Sequence, residues 1–200
     1  MNDRSPEYIR PLLVRIDRLM AEQERVLVAI DGGSASGKTT LGELLQSVYA
    51  CPVFHMDDFF LRPEQRTPER FSEPGGNVDR ERFLSEVLLP LREGKAVDYR
   101  RFDCKTFTIA PPRRIEPGRL NIIEGAYAMH PDLAPYYDLT VFLAVSAEKQ
   151  RERILKRNAP AQAELFFNRW IPFEQRYFAA LNVPERCDLT IFLDDQTSVP

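Results

Sequence analysis

Short apolar runs alternate with helix-like segments along most of this sequence. The apolar runs are rich in β-branched and aromatic residues and lie at 26–30, 52–56, 120–123, 139–145 and 189–193. Such runs are typical of strands that are covered on both faces of a sheet. Helical patterns separate them at 38–49, 79–93, 147–157 and 161–181. The alternation predicts an α/β fold in which a doubly wound parallel sheet of about five strands carries flanking helices.

The N-terminal segment predicts one further helix. Between residues 6 and 24 the apolar side chains recur at helical spacing, and Pro11 stands near the start, where a helix tolerates proline. We expect residues 1–25 to form an amphipathic helix packed on the domain. Residues 26–200 are expected to form the α/β domain itself, so that the chain is a single domain overall.

The segment 26–40, VLVAIDGGSASGKTT, carries the most informative motif of the chain. It joins an apolar run to a helical pattern through a glycine-rich turn with the spacing G-x-x-x-x-G-K-T, the Walker A motif of a P-loop. Glycines let backbone amides point at phosphate oxygens, and the helix N-terminus favours negative charge. Lys38 would reach the β- and γ-phosphates, and the Thr39 hydroxyl would bind Mg²⁺. We expect ATP and Mg²⁺ to bind at Gly32, Gly33, Ser34, Ala35, Ser36, Gly37, Lys38, Thr39 and Thr40.

The composition narrows the choice of partner and compartment. With 44% hydrophobic and 28% charged residues among 200, the sequence is typical of a globular domain. A net charge of −3 argues against nucleic acid, and no apolar run approaches the roughly 18 residues that span a bilayer. The polar N-terminus does not resemble a signal peptide, and the three separated cysteines favour reduced thiols. We expect a cytoplasmic protein with a small-molecule substrate and without a nucleic-acid or membrane partner, and we leave a homo-oligomer open.

Acidic residues close two of the predicted strands. Asp57 and Asp58 follow the second apolar run, and Glu124 follows the third. Because ligands of such sheets lie beyond the carboxyl ends of the strands, these carboxylates should meet the phosphate loop. A carboxylate there can act as base for a substrate hydroxyl or hold Mg²⁺. We expect Asp57 to be catalytic and to form the metal site with Thr39 and Glu124, whereas Asp58 suits a cap of the next segment equally well.

Arginines are concentrated on the predicted helix at 147–157. Arg153 and Arg157 lie one turn apart on one face, and a cationic face over the phosphates would neutralise the charge on the transferred group. A solvated basic face is the alternative explanation. Arg169 follows in the segment FFNRWIPFEQRYF, whose aromatic residues favour core packing over a stacking platform for a base.

In this order the motifs resemble those of the uridine kinase family of P-loop kinases, whose wider kin include phosphoribulokinase, pantothenate kinase and nicotinamide riboside kinase. GGSASGKTT is similar to the family's phosphate loop, MDDFF to its D-S-F-Y or D-D-F-F segment, and IIEGAY to its I-L-E-G segment. The resemblance covers about residues 26–193. It implies an ATP-dependent phosphotransferase in which Lys38 binds the phosphates, Asp57 is the catalytic aspartate near Mg²⁺, and Glu124 is the acid linked to the metal.

The resemblance also implies an acceptor site. GGNVDRERF is similar to the segment whose aspartate binds ribose hydroxyls, which places Asp79 there, although Asp79 also suits the first turn of a helix. YRRFDCKTF resembles the stretch that lines the nucleoside pocket, so we expect Phe102 and Asp103 at the substrate. Tyr127, which ends IIEGAY, is expected near it, and we assign Arg169 to the same site.

Two segments depart from the family pattern. The helix QRERILKRN is similar to the lid segment R-x-x-R-R-x-x-R-D, so Arg153 or Arg157 is expected to close over the phosphates, but this lid is shorter and ends in Asn158. Uridine kinases usually continue the pocket stretch with S-H-S-R, whose polar side chains help to hold the base. Residues 106–109 read TFTI here, so the sequence supports a ribose-like acceptor better than a pyrimidine base.

These patterns predict a kinase that phosphorylates a primary hydroxyl of a small molecule, with a nucleoside as the first choice. The same chemistry on pantothenate, a vitamin riboside or a sugar phosphate is the first alternative. A non-kinase ATP-binding regulatory module is the second, although the sequence has no N-K-x-D segment that reads guanine. A kinase for nucleoside monophosphates is the third, and its additional cations would be Arg100, Arg101, Arg113 and Arg114.

Overall fold

The computed structural model describes residues 6–194, and nine strands are assigned within that range. In chain order they are β1 Val26–Gly32, β2 Val53–His55, β3 Val97–Tyr99, β4 Phe102–Asp103, β5 Thr108–Ile109, β6 Arg113–Ile115, β7 Leu120–Glu124, β8 Leu139–Ala144 and β9 Leu189–Phe192. Five of them form one sheet in the order β2-β7-β1-β8-β9, and every neighbouring pair is parallel. The predicted parallel sheet with flanking helices is therefore confirmed.

The helices of the described residues flank this sheet. They are α1 Arg10–Glu22, α2 Lys38–Tyr49, α3 Pro68–Ser72, α4 Arg80–Phe83, α5 Leu89–Arg92, α6 Ala147–Arg157, α7 Pro160–Leu165, α8 Ile171–Leu181 and α9 Val183–Arg186. A wide π-helical turn, Leu84–Leu88, joins α4 to α5, and another, Phe166–Trp170, joins α7 to α8. Each of these groups is therefore one continuous helical run, as the apolar spacing at 79–93 and 161–181 predicts.

The central strand β1 carries the phosphate loop on the most protected position of the sheet. All seven of its residues are buried, because β7 and β8 lie on either side and helices cover both faces. Parallel register places Glu124 of β7 opposite Ile30 of β1 and opposite His55 of β2. The carboxyl ends of the three strands that precede the predicted site residues therefore stand side by side.

Two hydrophobic clusters pack against the sheet. Ile9, which directly precedes helix α1, and Leu12 and Ile16 within it are fully buried, as are Val28 and Ile30 of the central strand. Burial of each such side chain contributes about 1.5–3 kcal/mol. The apolar stripe of the N-terminal helix thus packs against the domain, with Leu13, Leu19 and Met20 partly buried beside these residues.

The long segments between strands contain more regular structure than their composition indicates. Residues 94–119 form two short antiparallel pairs, β3 with β6 and β4 with β5. Residues 61–78 include a short 3₁₀ turn and helix α3. Within residues 6–194 no helix is long and apolar enough to cross a bilayer, and all three cysteines are free.

Candidate active site

The phosphate loop turns sharply between β1 and α2. Gly32 has a φ of +148° and Gly37 a φ of +104°, and a Cβ on Gly32 would lie 2.5 Å from the carbonyl oxygen of Leu143. Ala35 also adopts a left-handed φ of +59°, a conformation that costs about 1 kcal/mol or more in a non-glycine residue. The loop is thus held in a strained path that leads the first amides of α2 toward one open point, where an anion is stabilised.

Side chains from two helices hold the outer side of this loop. Gln150 of α6 donates from Nε2 to the carbonyl oxygen of Ser34 at 2.8 Å. Arg153 donates to the carbonyl oxygens of Ala35 and Ser36 at 3.1 and 3.4 Å. Glu174 of α8 accepts from the Ser34 amide at 2.8 Å and from its hydroxyl at 2.6 Å. The backbone of residues 34–36 of the loop is therefore held by side chains of α6 and α8.

Lys38 and Thr39 begin helix α2 at the mouth of the loop. The Nζ of Lys38 donates to the carbonyl oxygen of Gly33 at 2.8 Å, so the ammonium lies over the loop. The hydroxyl of Thr39 lies 3.3 Å from Oε1 of Glu124, which is only 5% exposed. The same Oε1 lies 2.5 Å from Nδ1 of His55, and this hydrogen bond is the main reason why the pKa of His55 is raised. The predicted metal-site residues Thr39 and Glu124 are in direct contact.

Asp57 follows β2, and its carboxyl group interacts electrostatically with Lys38 and Glu124. Its side chain is exposed on one side, yet the surrounding protein removes enough water to raise the pKa of its carboxyl above the ordinary value. The ammonium of Lys38 opposes this rise, and the carboxylate of Glu124 adds to it. A carboxyl group with a raised pKa beside a phosphate loop is suited to accept a proton from a hydroxyl group.

The neighbouring Asp58 has a structural role. Its Oδ2 accepts from the Tyr99 hydroxyl and its Oδ1 from Nε of Arg101, each at 2.8 Å. The Tyr99 hydroxyl also accepts from the backbone amide of His55 at 3.0 Å. Asp58 is therefore not a helix cap: it ties the end of β2 to β3 and leaves Asp57 as the free acid of the pair.

The donor set suits a magnesium ion that is bound together with a nucleotide. Among the described residues no group of three or more His, Cys, Asp or Glu side chains is arranged to hold a metal ion. Mg²⁺ in phosphoryl-transfer sites usually keeps several waters and takes one or two carboxylates plus the phosphates of the substrate. Thr39 and Glu124 in contact, with Asp57 nearby, provide that incomplete set.

A cavity of about 200 Å³ lies beside these acids. It is lined by aromatic, basic and small polar side chains: Phe60, Leu61, Arg66, Phe71, Asn77, Cys104, Phe107, Arg169 and Trp170. Phe60 and Leu61 follow Asp57 by three and four residues, so this wall of the cavity continues directly from the acids that close β2. Arg169 lies over the rings of Trp170 and Phe71 and is part of this cavity wall, and its role at a substrate stays a prediction.

The other predicted acceptor residues occupy different positions. Phe102 is buried beneath Arg66, whose guanidinium lies 5.7 Å from the ring centre. Tyr127 is buried against Tyr177, with a ring-to-ring distance of 4.9 Å. Asp103 is exposed and accepts from the amide of Lys105 at 2.7 Å, so it closes the β4–β5 turn and does not line the cavity.

Asp79 is buried outside the cavity wall. Its Oδ1 accepts from the amide of Arg82 at 3.1 Å, so Asp79 caps α4, in line with the alternative of a helix-terminal acid. Its Oδ2 has no hydrogen-bond partner within residues 6–194 and lies 3.4 Å from Nε of Arg62 and 3.8 Å from Nε of Arg82. A buried carboxylate oxygen that has guanidinium neighbours but no hydrogen bond is an atom that a ligand hydroxyl would satisfy.

The predicted lid arginines have separate surroundings. Arg153 is bound to the loop carbonyls, whereas the guanidinium of Arg157 lies over the ring of Phe166 at 5.5 Å. In this structure neither side chain points freely at the loop mouth, so closure over the phosphates stays a prediction. Of the four further arginines considered for a monophosphate acceptor, three are in ion pairs: Arg100 with Glu86, Arg101 with Asp58 and Arg114 with Glu116.

Sequence reasoning missed two residues of this site. His55 stands alone in the sequence, and only the pairing of β2 with β7 brings it to Glu124. Glu174 lies 140 residues from Ser34, and the segment around it reads as an ordinary helix. Neither residue has a local signal, because each acts through a contact that the tertiary fold creates.

Comparison with known proteins places this geometry in a family. The family model described as "Phosphoribulokinase / Uridine kinase family" matches residues 27–161, which is more than half of the chain and includes the loop, Asp57 and Glu124. The chain belongs to this family. This is a family of P-loop kinases, which supports nucleotide binding at the loop between β1 and α2.

Individual proteins that are similar to this chain include uridine kinases and uridine kinase-like proteins. A uridine kinase of Chloroflexus aggregans is 30% identical over 143 residues, which cover 66% of this chain and 68% of that protein. Uridine kinase-like protein 3 of Arabidopsis thaliana is 30% identical over 154 residues, and the match spans 70% of this chain but only a third of that protein. A solved structure titled "possible uridine kinase" from Bacillus stearothermophilus superposes with a TM-score of 0.64 over 90% of this chain and 99% of that one, at 24% identity, and shows the shared fold.

Proposed function

We propose that this protein transfers the γ-phosphoryl group of ATP to a primary hydroxyl of a small acceptor, with a nucleoside as the preferred class. The observation that carries the proposal is the position of Asp57 between the phosphate loop and the cavity. Burial raises the pKa of Asp57, and Lys38 and Glu124 act on that pKa from the loop side, whereas Phe60 and Leu61, three and four residues after Asp57, line the cavity. A hydroxyl held in the cavity would thus lie near both a base and the transferred phosphoryl group.

Each residue has a definite task in this proposal. Asp57 orients the acceptor hydroxyl and takes its proton. Lys38 leaves the carbonyl oxygen of Gly33 to bind the phosphates, and Glu124, held by His55, keeps its carboxylate turned toward Thr39. Mg²⁺, when bound with the nucleotide, neutralises charge on the phosphates.

The preference for a ribose-like acceptor depends on Asp79 and the aromatic cavity. The Oδ2 of Asp79 is buried two residues beyond Asn77 of the cavity wall, and it would accept a hydrogen bond from one hydroxyl of a vicinal diol that reaches past that wall. Flat aromatic and guanidinium faces at Trp170 and Arg169 would stack on a planar group. Uridine kinases among the relatives support the same class. Pantothenate, a vitamin riboside or a sugar phosphate would use the same transfer residues and differ only in this cavity.

The test is a panel of nucleosides, vitamin ribosides, sugar phosphates and pantothenate, scored by ADP release that depends on the acceptor. We expect one ribose-bearing class to give turnover, and Asp57→Asn to keep ATP affinity while losing at least about a hundredfold in kcat, the usual contribution of a general base. Glu148→Gln, which removes an exposed acid from α6, is the matched control. Near wild-type turnover by Asp57→Asn would contradict the role of Asp57 as the catalytic base. ATP hydrolysis that no acceptor stimulates would favour a regulatory module.

A further inference from the structure

Glu174 is a buried acid at the phosphate loop that the transfer reaction does not require. It comes from the first turn of α8 and is only 5% exposed. Both of its oxygens are used on one residue, because Oε2 accepts from the Ser34 amide and Oε1 from the Ser34 hydroxyl. The carbonyl oxygen of Ser34 accepts from Gln150, so the polar groups of Ser34 are all bound by helical side chains.

Burying a carboxylate at this position costs free energy that packing alone does not explain. Burial raises the pKa of Glu174, and the ammonium of Lys38 and the two Ser34 donors oppose that rise. A neutral side chain could fill the same space without the cost of removing a charge from water. Hydrogen bonds to an ionised acceptor are shorter and stronger than neutral ones, so the carboxylate fixes Ser34 more firmly.

The helix that carries Glu174 also forms a wall of the cavity. Trp170 lines the cavity and precedes Glu174 by four residues in one continuous helical run. Residues four apart share a helix face, so the indole and the carboxylate point to the same side, one turn apart. Phe173, the residue before Glu174, packs edge-on against Trp170 with ring centres 6.3 Å apart.

We propose that Glu174 is a positioning residue that couples the phosphate loop to the acceptor cavity, because its carboxylate holds Ser34 on the same helix face that carries Trp170 into the cavity wall. Nucleotide binding at the loop would then change the position of the Trp170 side chain. By the same coupling free energy, a ligand in the cavity would change the affinity of the loop for nucleotide. The inference goes beyond the proposed function and rests on it only for ATP as the ligand of the loop.

Trp170 reports on this coupling directly, since it is the sole tryptophan of the sequence. The experiment titrates a non-hydrolysable ATP analogue with Mg²⁺ into wild type, Glu174→Ala and Glu174→Gln, and follows affinity by calorimetry and Trp170 by fluorescence. Glu164→Gln, an exposed acid on α7 of the same helical run, is the matched control. No acceptor is needed, so the acceptor class does not affect the result.

In wild type we expect saturation with the analogue to change the Trp170 fluorescence. Glu174→Ala should weaken the affinity by about tenfold to a hundredfold, the range for loss of hydrogen bonds to a charged group, and should lose most of the fluorescence change even at saturation. Glu174→Gln can still accept from the Ser34 amide and donate to its hydroxyl oxygen, so it should keep most of the response. Glu164→Gln should match wild type.

The proposal is overturned if wild type binds the analogue without a change at Trp170, or if Glu174→Ala gives the full fluorescence change. Absence of analogue binding by wild type would instead contradict the proposed function, and calorimetry distinguishes the two. If Glu174→Ala does not fold, Ser34→Ala decides the matter, since it removes only the 2.6 Å hydroxyl bond. A fully wild-type response of that variant would also overturn the coupling.

Discussion

Nδ1 of His55 lies 2.5 Å from Oε1 of Glu124, the oxygen that also contacts the Thr39 hydroxyl. The imidazole is partly exposed, whereas the carboxylate is buried. Glu124 is thus held from one side by a residue of the neighbouring strand and presents its remaining side to the loop. In this arrangement His55 orients the acid that the family resemblance links to the metal.

Replacing His55 should therefore reduce turnover without abolishing nucleotide binding. Removal of a residue that orients a metal-linked acid typically costs about tenfold to a hundredfold in activity, so we expect His55→Ala to lose about tenfold in kcat. Acceptor-dependent ADP release measures kcat, and calorimetry measures the affinity for the ATP analogue. His130→Gln changes the other histidine of the chain and serves as the control. An unchanged kcat for His55→Ala would show that Glu124 needs no support.

The two lid arginines should behave differently. Arg153→Ala removes the donors to the Ala35 and Ser36 carbonyl oxygens, so it should weaken binding of the ATP analogue by about tenfold, the value of one to two such hydrogen bonds. Arg157→Ala removes only a contact with Phe166 and should change that affinity by less than about twofold. Titration calorimetry of both variants decides. A larger effect for Arg157→Ala would support closure of that side chain over the phosphates.

The hydroxyl of Tyr99 should be important for stability. Tyr99→Phe leaves the amide of His55 and Oδ2 of Asp58 without their shared partner in a buried place, so we expect the free energy of unfolding to fall by about 1–3 kcal/mol. Urea denaturation measures this difference. Tyr49→Phe loses an exposed bond to Asp17 and should cost clearly less. Equal losses in the two variants would contradict the role given to Tyr99.

Asp31 should make stability fall as pH rises through weakly acidic values. Burial raises the pKa of its carboxyl from the ordinary 3.8 to about 6, against three hydrogen bonds from Gly32, Met129 and Tyr177 that favour the charged form. Between pH 3.8 and about pH 6 the Asp31 carboxyl is therefore protonated in the folded protein but ionised in the unfolded chain. The stability that Asp31 contributes is complete below about pH 4 and is lost as the pH rises through about 6.

Comparison with Asp31→Asn isolates this effect, because the other titrating groups are common to both proteins. We expect the free energy of unfolding of wild type relative to the variant to decrease by up to about 3 kcal/mol from pH 4 to pH 7. Denaturation curves at four or five pH values measure it. A difference that is constant, or that grows with pH, would show that Asp31 is charged throughout.

Much of the fold and of the donor side of the site follows from sequence. Apolar runs that end in Gly32, Asp57 and Glu124 predict three parallel strands, and the structure places those strands next to one another. The prediction succeeds because each signal is local: the run, the turn and the residue that closes it lie within a few positions.

The acceptor side follows from sequence much less well. The resemblance assigns Asp103 to the substrate, but the side chain closes its own turn, because a carboxylate there finds the amides of Lys105 and Thr106 first. Glu174 is the opposite case: it contacts the phosphate loop, but nothing near it in the sequence predicts that contact. Contacts between distant segments depend on packing, which spacing along one chain does not encode.

The residues that we propose for phosphoryl transfer and those that line the cavity come mostly from different segments of the molecule. Lys38, Asp57 and Glu124 follow or close three adjacent strands of the sheet, whereas the cavity is built by the segment after β2, the β4–β5 hairpin and the helical turn before α8. Changes in those three outlying segments would leave the sheet and its chemistry intact. Evolution, or a mutant library confined to them, can therefore exchange one acceptor for another while keeping the same catalyst.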